Sequence, residues 1–243
     1  MSRNRLEHSH HPRAIAKRLS TGPDASYLRD WIYGGIDGAV TTFAIVAGSV
    51  GAGLSSNVIL ILGTANLLAD GFSMAAANYS GSKSENEDYA RLRAIEEKHI
   101  ALAPDGEREE IRQILSAKGY EGEDLETMVR LVASNKEAWI DTMMQGEYGM
   151  SDAGRAPIRA ALFTFAAFLL FGSVPLLPFV FSAPASAAAA TVLTAIAFFA
   201  IGSLRASWSR RGWFSCGSET TAIGMVAAAI AYLAGHGLQT LMA

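Results

Sequence analysis

Two carboxylates interrupt long apolar stretches of this 243-residue chain. Asp37 lies in the glycine-rich run 34–38, and Asp70 lies in the run 66–74. A charged side chain at the centre of a membrane-spanning helix costs roughly 2.5–3.5 kcal/mol to insert, and such residues usually face a bundle interior or a water-filled path. We therefore expect Asp37 and Asp70 to mark a path for ions or protons. Structural carboxylates held by hydrogen bonds are the alternative.

The second carboxylate belongs to a polar stripe. Residues three or four apart share one face of a helix. The members of this stripe are Asn66, Asp70, Ser73, Met74 and Asn78. Together with Asp37, the stripe is predicted to line a path through the membrane.

A second group of candidate ligands lies in segment 80–156, which holds 17 of the chain's 23 acidic and 10 of its 20 basic residues, a local net charge of −7. Glu107 and Glu110 are three apart and share a helix face. Two thioethers and a carboxylate follow at close spacing: Met143, Met144 and Glu147. Carboxylates bind Mg²⁺, Mn²⁺ and Fe²⁺, and thioethers favour softer transition metals. The segment predicts a divalent-cation site, with a solvated acidic surface and two core methionines as the alternative.

Five apolar stretches of 20 to 24 residues supply the elements that would hold these groups. A bilayer core of about 30 Å needs roughly 20 helical residues, and backbone amides in lipid must bond within the segment. The predicted spans are 31–54, 58–79, 158–181, 185–204 and 220–241. Pro175 and Pro178 are expected to kink or end the third span near its outer face.

The predicted fold class is all-α, a polytopic membrane protein with five transmembrane helices and a cytosolic helical domain inserted between helices two and three. Helical periodicity in the insert predicts helices over 84–102, 107–117, 123–133 and 135–148, the first continuing span two. The predicted domains are a basic cytosolic tail (1–30), transmembrane helices 1–2 (31–79), the acidic metal-binding domain (80–156) and transmembrane helices 3–5 (157–243).

The distribution of positive charge predicts the orientation. All 20 Lys and Arg residues fall on one side of the predicted bundle, and that side is the cytoplasm by the positive-inside rule. The N-terminus is then cytosolic and the C-terminus outside. Residues 1–30 lack the apolar core of a signal peptide, and the histidines His8, His10 and His11 are expected to lie in a solvated tail.

Composition also excludes several classes of function. The concentrated negative charge argues against nucleic-acid binding, and membrane lipid is the expected surrounding. The single cysteine, Cys216, excludes a disulfide framework and thiolate metal clusters. The sequence has no Walker A, Rossmann or nucleophile-elbow motif, so we expect neither an enzyme nor an organic cofactor.

Gly34 and Gly38 form a pair of small residues four apart, which lets helices approach closely. The pair makes span one a candidate contact helix. Two interpretations remain open at this point: a homodimer through transmembrane helix 1, or packing within one bundle.

Several short motifs in order resemble the vacuolar iron transporter family, and the chain is similar to its bacterial branch. The resemblance covers roughly residues 29–230. Its pieces are Arg29-Asp30, Tyr33-Gly34-Gly35-Ile36-Asp37-Gly38, the run 66–74 with Asn78-Tyr79, Glu96-Glu97, the run 104–110, Ala138-Trp139, Met143-Met144, Glu147-Tyr148-Gly149 and the run 174–178. Each piece is weak alone, and the ordered set is specific.

The resemblance implies a carrier of Fe²⁺ and Mn²⁺ that moves metal out of the cytosol in exchange for protons. It also implies a homodimer with the path between subunits, in a bacterial inner (cytoplasmic) membrane. By motif, Asp37 and Met74 correspond to the family's path. The family's cytosolic metal site corresponds to Glu107, Glu110, Met143, Met144 and Glu147.

Two positions depart from the family pattern. Asn66 stands where eukaryotic members carry a glutamate two turns before the span-two methionine, and Asp70 is the candidate replacement. Glu96 matches a ligand position of the first cytosolic helix, but its expected partner three residues later is His99. Histidine also binds Fe²⁺, Mn²⁺ and Zn²⁺, and Glu97 offers a further carboxylate.

The sequence therefore predicts a divalent transition-metal exporter that uses proton antiport. The alternative is a membrane-anchored metal sensor or buffer that binds ions through the cytosolic helices without transport. Asp37 and Asp70 favour the transporter, because a buffer has no use for carboxylates in mid-membrane.

Overall fold

The computed structural model describes residues 9–21, 26–151 and 155–242, and within these ranges its regular structure is helical throughout. The α-helices are α1 (Pro12–Thr21), α2 (Leu28–Gly51), α3 (Ser56–Leu102), α4 (Pro104–Ala117), α5 (Gly122–Ala133), α6 (Lys136–Gly146), α7 (Pro157–Ser173), α8 (Leu177–Val180), α9 (Ser186–Leu204) and α10 (Trp213–Met242). Two 3₁₀ turns occupy Val174–Leu176 and Arg205–Trp208. This confirms the predicted all-α class.

Within the described residues, five helical stretches are long and apolar enough to cross a membrane. They are Leu28–Gly51, Ser56–Leu102, Pro157–Val180, Ser186–Trp208 and Trp213–Met242. The predicted number of spans is confirmed, and their ends shift: the first helix begins at Leu28 and the last at Trp213. Hydropathy locates the apolar part of a helix, whereas polar residues at its ends extend the hydrogen-bonded turns.

α3 is one continuous helix of 47 residues, about 70 Å long at 1.5 Å per residue. The prediction that span two continues into the acidic segment is confirmed. The expected break at residues 104–106 is shorter than predicted, because Ala103 alone separates α3 from α4. Pro104 is the first residue of α4, where its missing amide costs nothing.

α2 is the central helix of the bundle and packs against α3, α7, α9 and α10. The phenyl rings of Phe43 and Phe198 meet edge to face with centroids 6.5 Å apart. A Cβ at Gly34 would collide with the Thr164 backbone, and one at Gly38 would collide with the Phe168 backbone. The glycine pair therefore packs against α7 of the same chain and leaves no free surface there for a second subunit.

The third span is broken near its end, as the two prolines predict. α7 stops at Ser173, a 3₁₀ turn covers Val174–Leu176, and α8 follows as a single turn. Pro175 and Pro178 lack the amide hydrogen that a continuous helix would use. Both prolines are buried.

The helices between α3 and α7 form a unit of their own with the polar end of α3, which we call the inserted unit (residues 80–151). One apolar cluster joins α4, α5 and α6 through Ile111, Leu115, Val129, Trp139 and Met143. A second cluster joins α3 and α6 through Leu92, Ile140 and Met144. The four helices predicted here are present, and the last ends earlier than predicted, at Gly146.

The N-terminal tail contains a helix that the sequence analysis did not predict. α1 spans Pro12–Thr21, within the segment expected to be a solvated tail. His10 and His11 precede it and are exposed. His8 lies outside the described residues.

Candidate metal site and membrane cavity

Glu96, His99 and Glu107 form the tightest group of candidate metal ligands in the described part of the chain. One ligand atom from each residue lies within 4.8 Å of the others. His99 Nδ1 is 4.0 Å from Glu96 Oε1 and 3.5 Å from Glu107 Oε1. The first two residues are one turn apart on α3, and Glu107 comes from the first turn of α4. The tight α3–α4 junction brings them together.

The two carboxylates of this group are buried, whereas the imidazole opens to solvent. The side chain of Glu96 is 1% exposed and that of Glu107 is 5% exposed, against 51% for His99. The Tyr148 hydroxyl donates to Glu96 Oε1 at 2.9 Å. Glu96 Oε2 and Glu107 Oε2 are buried and have no hydrogen-bond partner among the described residues. A buried carboxylate oxygen without a donor is costly, and a cation would satisfy both.

Burial raises the pKa of the Glu107 carboxyl to about 7, and the charges of Glu110 and Glu96 add to the increase. Partial burial likewise raises the pKa of Glu147, with Glu96 and Glu110 as further causes. These carboxylates repel one another because they are close and poorly solvated. A divalent cation would remove that repulsion.

Glu110 and Glu147 are solvent-exposed residues at the edge of this group. They act on Glu107 through their charges, but neither belongs to the group whose ligand atoms lie within 4.8 Å. The structure thus brings Glu96, His99, Glu107, Glu110 and Glu147 into one acidic region, and the first three form its closest part.

The remaining predicted ligands lie in other surroundings. Met143 is fully buried in the α4–α6 cluster, and Met144 is 1% exposed in the α3–α6 cluster. Both thioethers therefore stabilise the inserted unit, and their role as ligands stays a prediction. Glu97 turns toward basic residues, 3.8 Å from Arg93 Nε and 3.5 Å from Lys136 Nζ, so the structure places it outside the closest group.

In the membrane-spanning part, a cavity of about 800 Å³ brings Asp37 and Met74 together. Asp37 comes from α2 and Met74 from α3, so the cavity lies between the two helices that carry the predicted path. Asp70 is close enough to Asp37 for the two carboxylates to repel each other. Ile32, Ile36 and Val40 form an apolar wall of the same cavity.

A neighbouring cavity of about 300 Å³ also includes Met74, together with Asn78 and Asp30. Asn78 Nδ2 donates to Asp30 Oδ1 at 2.9 Å and to Thr164 Oγ1 at 2.7 Å. Arg155 pairs with the other oxygen of Asp30 at 2.5 Å. Asn78 thus joins α2, α3 and α7 at the wall of this cavity, a structural role that the predicted path did not include.

The N-terminal part of the predicted polar stripe on α3 does not line either cavity. Asn66 and Asp70 are half-buried on α3, and neither is among the residues that line the two cavities. Asn66 Nδ2 is buried and has no hydrogen-bond partner in the described residues. The structure therefore supports Asp37 and Met74 as path residues more directly than Asn66.

Sequence reasoning missed three residues of these sites. Tyr148 positions Glu96, and the Asp30–Arg155 pair holds the wall of the smaller cavity. A signal existed for Asp30, because it is an acidic residue at the start of an apolar stretch. Tyr148 stood in the motif Glu147-Tyr148-Gly149, but its partner Glu96 lies 52 residues away along the chain. Arg155 offered no signal, since its partner lies 125 residues away.

A sequence model of the VIT family matches residues 28–236, which include every helix from α2 to most of α10. The chain belongs to the VIT family. It is 34% identical over 208 residues to vacuolar iron transporter 1 of Eucalyptus grandis, covering 84% of each chain. The same identity over 208 residues relates it to vacuolar iron transporter 1 of Arabidopsis thaliana, covering 84% of this chain and 83% of that one.

A rice relative, vacuolar iron transporter 1 of Oryza sativa subsp. japonica, is 33% identical over 237 residues, with 96% of this chain and 91% of the relative covered. The VIT-family match contains the acidic region of the inserted unit and both cavities. α1 lies outside it.

Proposed function

We propose that this VIT-family chain transports Fe²⁺ across a membrane, and Mn²⁺ through the same ligands. The proposal rests on the observation that one chain holds two sites suited to a divalent metal ion. Glu96, His99 and Glu107 lie within 4.8 Å as candidate ligands, and Asp37 and Met74 share a cavity between spanning helices. The names of the relatives, which are vacuolar iron transporters, support iron as the cargo.

The first step is capture of the ion by the inserted unit. Carboxylate and imidazole ligands suit Fe²⁺ and Mn²⁺. A cation would satisfy Glu96 Oε2 and Glu107 Oε2, which have no hydrogen-bond partner in the part of the chain that the structure describes. His99 is half exposed and offers its nitrogen from the solvent side.

Direct transfer between side chains of the two sites is impossible over the distance involved. Met74 and Glu96 are 22 residues apart on α3, which corresponds to about 33 Å along a helix. The inserted unit would instead raise the local concentration of metal. Its negative charge attracts cations over roughly 8–10 Å at ordinary ionic strength, and Glu85, on the lining of the smaller cavity, lies between the two sites.

The second step is movement past Asp37, Asp70 and Met74. The carboxylates of Asp37 and Asp70 repel each other, and either a proton or a divalent cation relieves that repulsion. Exchange of one for the other would couple metal movement to protons in the opposite direction. Protonation from the far side would release the ion, because an ionised carboxylate is the stronger ligand.

The proposed orientation follows from the basic residues. Residues 1–30 and 80–156 would face the cytosol and the C-terminus the outside, so that transport is export from the cytosol, across a bacterial inner membrane. Residues 31–79 and 157–243 would hold the five spans.

A homodimer remains part of the proposal, with a different surface from the glycine pair. Tyr33 of α2 is 57% exposed and lines the cavity that contains Asp37. The surface around Tyr33 is therefore the side of the bundle that borders the proposed path. A second copy on this side would keep the path between subunits and would still involve transmembrane helix 1.

A metal buffer without transport is the second candidate. The inserted unit alone would suffice for it, but the cavity that joins Asp37 to Met74 would then have no role. Transport into proteoliposomes separates the two. With the inserted unit outside and an acidic interior, the transporter predicts Fe²⁺ uptake with loss of the pH gradient. Binding of Fe²⁺ without uptake would support the metal buffer instead.

A further inference from the structure

Three arginines line the cavity that contains Asp37. Arg29 lies in the first turn of α2, Arg205 begins the 3₁₀ turn after α9, and Arg211 precedes α10. Positive side chains repel a cation, and the repulsion is stronger where water is partly excluded. A path for metal ions therefore does not explain this basic end, and its charge fits an anion.

The arginines differ in how far their charge is satisfied. Arg211 pairs with Glu219 at 2.6 Å. Arg29 lies over the ring of Tyr33 at 5.5 Å, and Arg205 donates a hydrogen bond to the Thr220 hydroxyl at 3.4 Å. Among the described residues, Arg29 and Arg205 form no ion pair. Two guanidinium groups, which suit the oxygens of a phosphate, are left for a group from outside the chain.

The part of the cavity that extends from the basic end toward the centre of the bilayer has an apolar wall. Ile32, Ile36 and Val40 follow Arg29 along one face of α2, and Ile223 of α10 lies opposite. Ile32 and Val40 are eight residues apart, about 12 Å along the helix. Tyr33 and Trp208 are 57% and 55% exposed at the basic end, and such residues are common at the level of lipid headgroups. A free phosphate would contact only the basic end of the cavity, whereas a phospholipid would contact both the basic end and the apolar wall.

We propose that this cavity binds an anionic phospholipid, with its phosphate at Arg29 and Arg205 and its acyl chains along the apolar wall of α2 and α10. Basic pockets between spanning helices are known to hold such headgroups on the cytoplasmic side. Asp37 lies eight residues beyond Arg29, again about 12 Å along the helix, so the phosphate stays clear of the carboxylate, whereas an acyl chain on the wall from Ile32 to Val40 passes beside it. The proposal does not depend on which ion the chain carries.

The test is lipid binding to the detergent-solubilised full chain, measured by native mass spectrometry and by thermal unfolding. The probes are phosphatidylglycerol, phosphatidylcholine with the same acyl chains, and glycerol 3-phosphate. We expect phosphatidylglycerol to bind most tightly and to stabilise most. Equal effects of the two lipids, or the same stabilisation by glycerol 3-phosphate, would overturn the proposal, and this comparison needs only the unaltered protein.

Variants locate the site. The double change Arg29→Gln and Arg205→Gln should weaken phosphatidylglycerol binding by roughly tenfold or more. Arg29→Lys with Arg205→Lys keeps the charge and should retain most of the binding. Arg210→Gln is the matched control, because Arg210 is an exposed arginine of the same turn region outside the lining. An equal loss in the control, or no loss in the double variant, would contradict the assigned position.

Discussion

At the residue scale, the property that governs the acidic region is the protonation of Glu107. Its pKa is raised to about 7 by burial and by Glu110 and Glu96. A proton therefore competes with metal for this carboxylate below about pH 7. We predict that Mn²⁺ affinity of the full chain rises between pH 6 and pH 8, as measured by isothermal titration calorimetry in detergent.

The variant Glu107→Gln should weaken that binding by about tenfold or more, equivalent to 1.4 kcal/mol. It should also flatten the pH dependence, because the amide does not titrate. Glu123→Gln is the matched control, since Glu123 is an exposed acid of the same unit. Equal binding by Glu107→Gln and Glu123→Gln would contradict the role of Glu107 as a metal ligand.

The same raised pKa predicts how stability of the metal-free inserted unit depends on pH. A carboxyl whose pKa is higher in the folded state holds a proton that the unfolded state releases, so its stabilising contribution is complete below the unfolded pKa. For Glu107 this contribution is lost as pH rises from about 4.5 to about 7. Hydrogen exchange of α4 amides, corrected for intrinsic pH effects, should show less protection at pH 7.5 than at pH 5, and Glu107→Gln should reduce that difference.

Helical spacing selected Glu107 together with Glu110, whereas Glu96 and His99 were selected because they match ligand positions of the family's first cytosolic helix. The residue spacing could not predict that α4 folds back onto α3 and buries Glu107 beside Glu96 and His99. Nor could it show that Met143 and Met144 lie in two apolar clusters, because the sequence does not distinguish a methionine that binds metal from one that packs in a core.

At the scale of elements, the contact between α2 and α7 depends on glycine. A Cβ at Gly38 would collide with the Phe168 backbone, which cannot move as a side chain end can. We predict that Gly38→Ala lowers the free energy of unfolding by about 1–3 kcal/mol and lowers the melting temperature in detergent.

Gly237→Ala in α10 is the control for this change, because nothing lies within 4 Å of its added Cβ. Alanine is the better helix former by roughly 0.5–1 kcal/mol, so the control should be neutral or stabilising. If both alanine variants melt alike, the close packing of α2 on α7 is not as described.

The number of spanning helices and the continuity of α3 could be predicted, because apolar length and the absence of a proline before Pro104 decide them. The ends of helices could not. α10 begins at Trp213 rather than near Thr220, because Ser215, Ser218 and Glu219 lower the hydropathy of its first two turns. The glycine pair showed that helices meet closely, but the identity of the neighbour, α7, follows only from the three-dimensional packing.

At the scale of the whole molecule, the first prediction concerns orientation. A reporter inserted near Gly119 should be cytosolic and one fused after Ala243 should lie outside, because three spans lie between the two positions and all the basic residues lie on the side of Gly119. The side of the membrane on which each position lies can also be measured by the reactivity of single introduced cysteines with a membrane-impermeant thiol reagent, in a Cys216→Ser background. Both positions on one side would contradict the proposed orientation.

The central claim is that metal crosses the membrane past Asp37, and that the inserted unit assists from outside the path. Asp37→Asn keeps the size of the side chain and removes its charge. The most direct measurement is initial-rate Fe²⁺ uptake into proteoliposomes under an imposed pH gradient, comparing unaltered chain, Asp37→Asn and Glu107→Gln over a range of Fe²⁺ concentrations. We predict that Asp37→Asn binds metal at the inserted unit normally yet transports none, whereas Glu107→Gln is slow at low Fe²⁺ and recovers at high Fe²⁺. Full transport by Asp37→Asn at normal protein levels would contradict both the path and its coupling to protons.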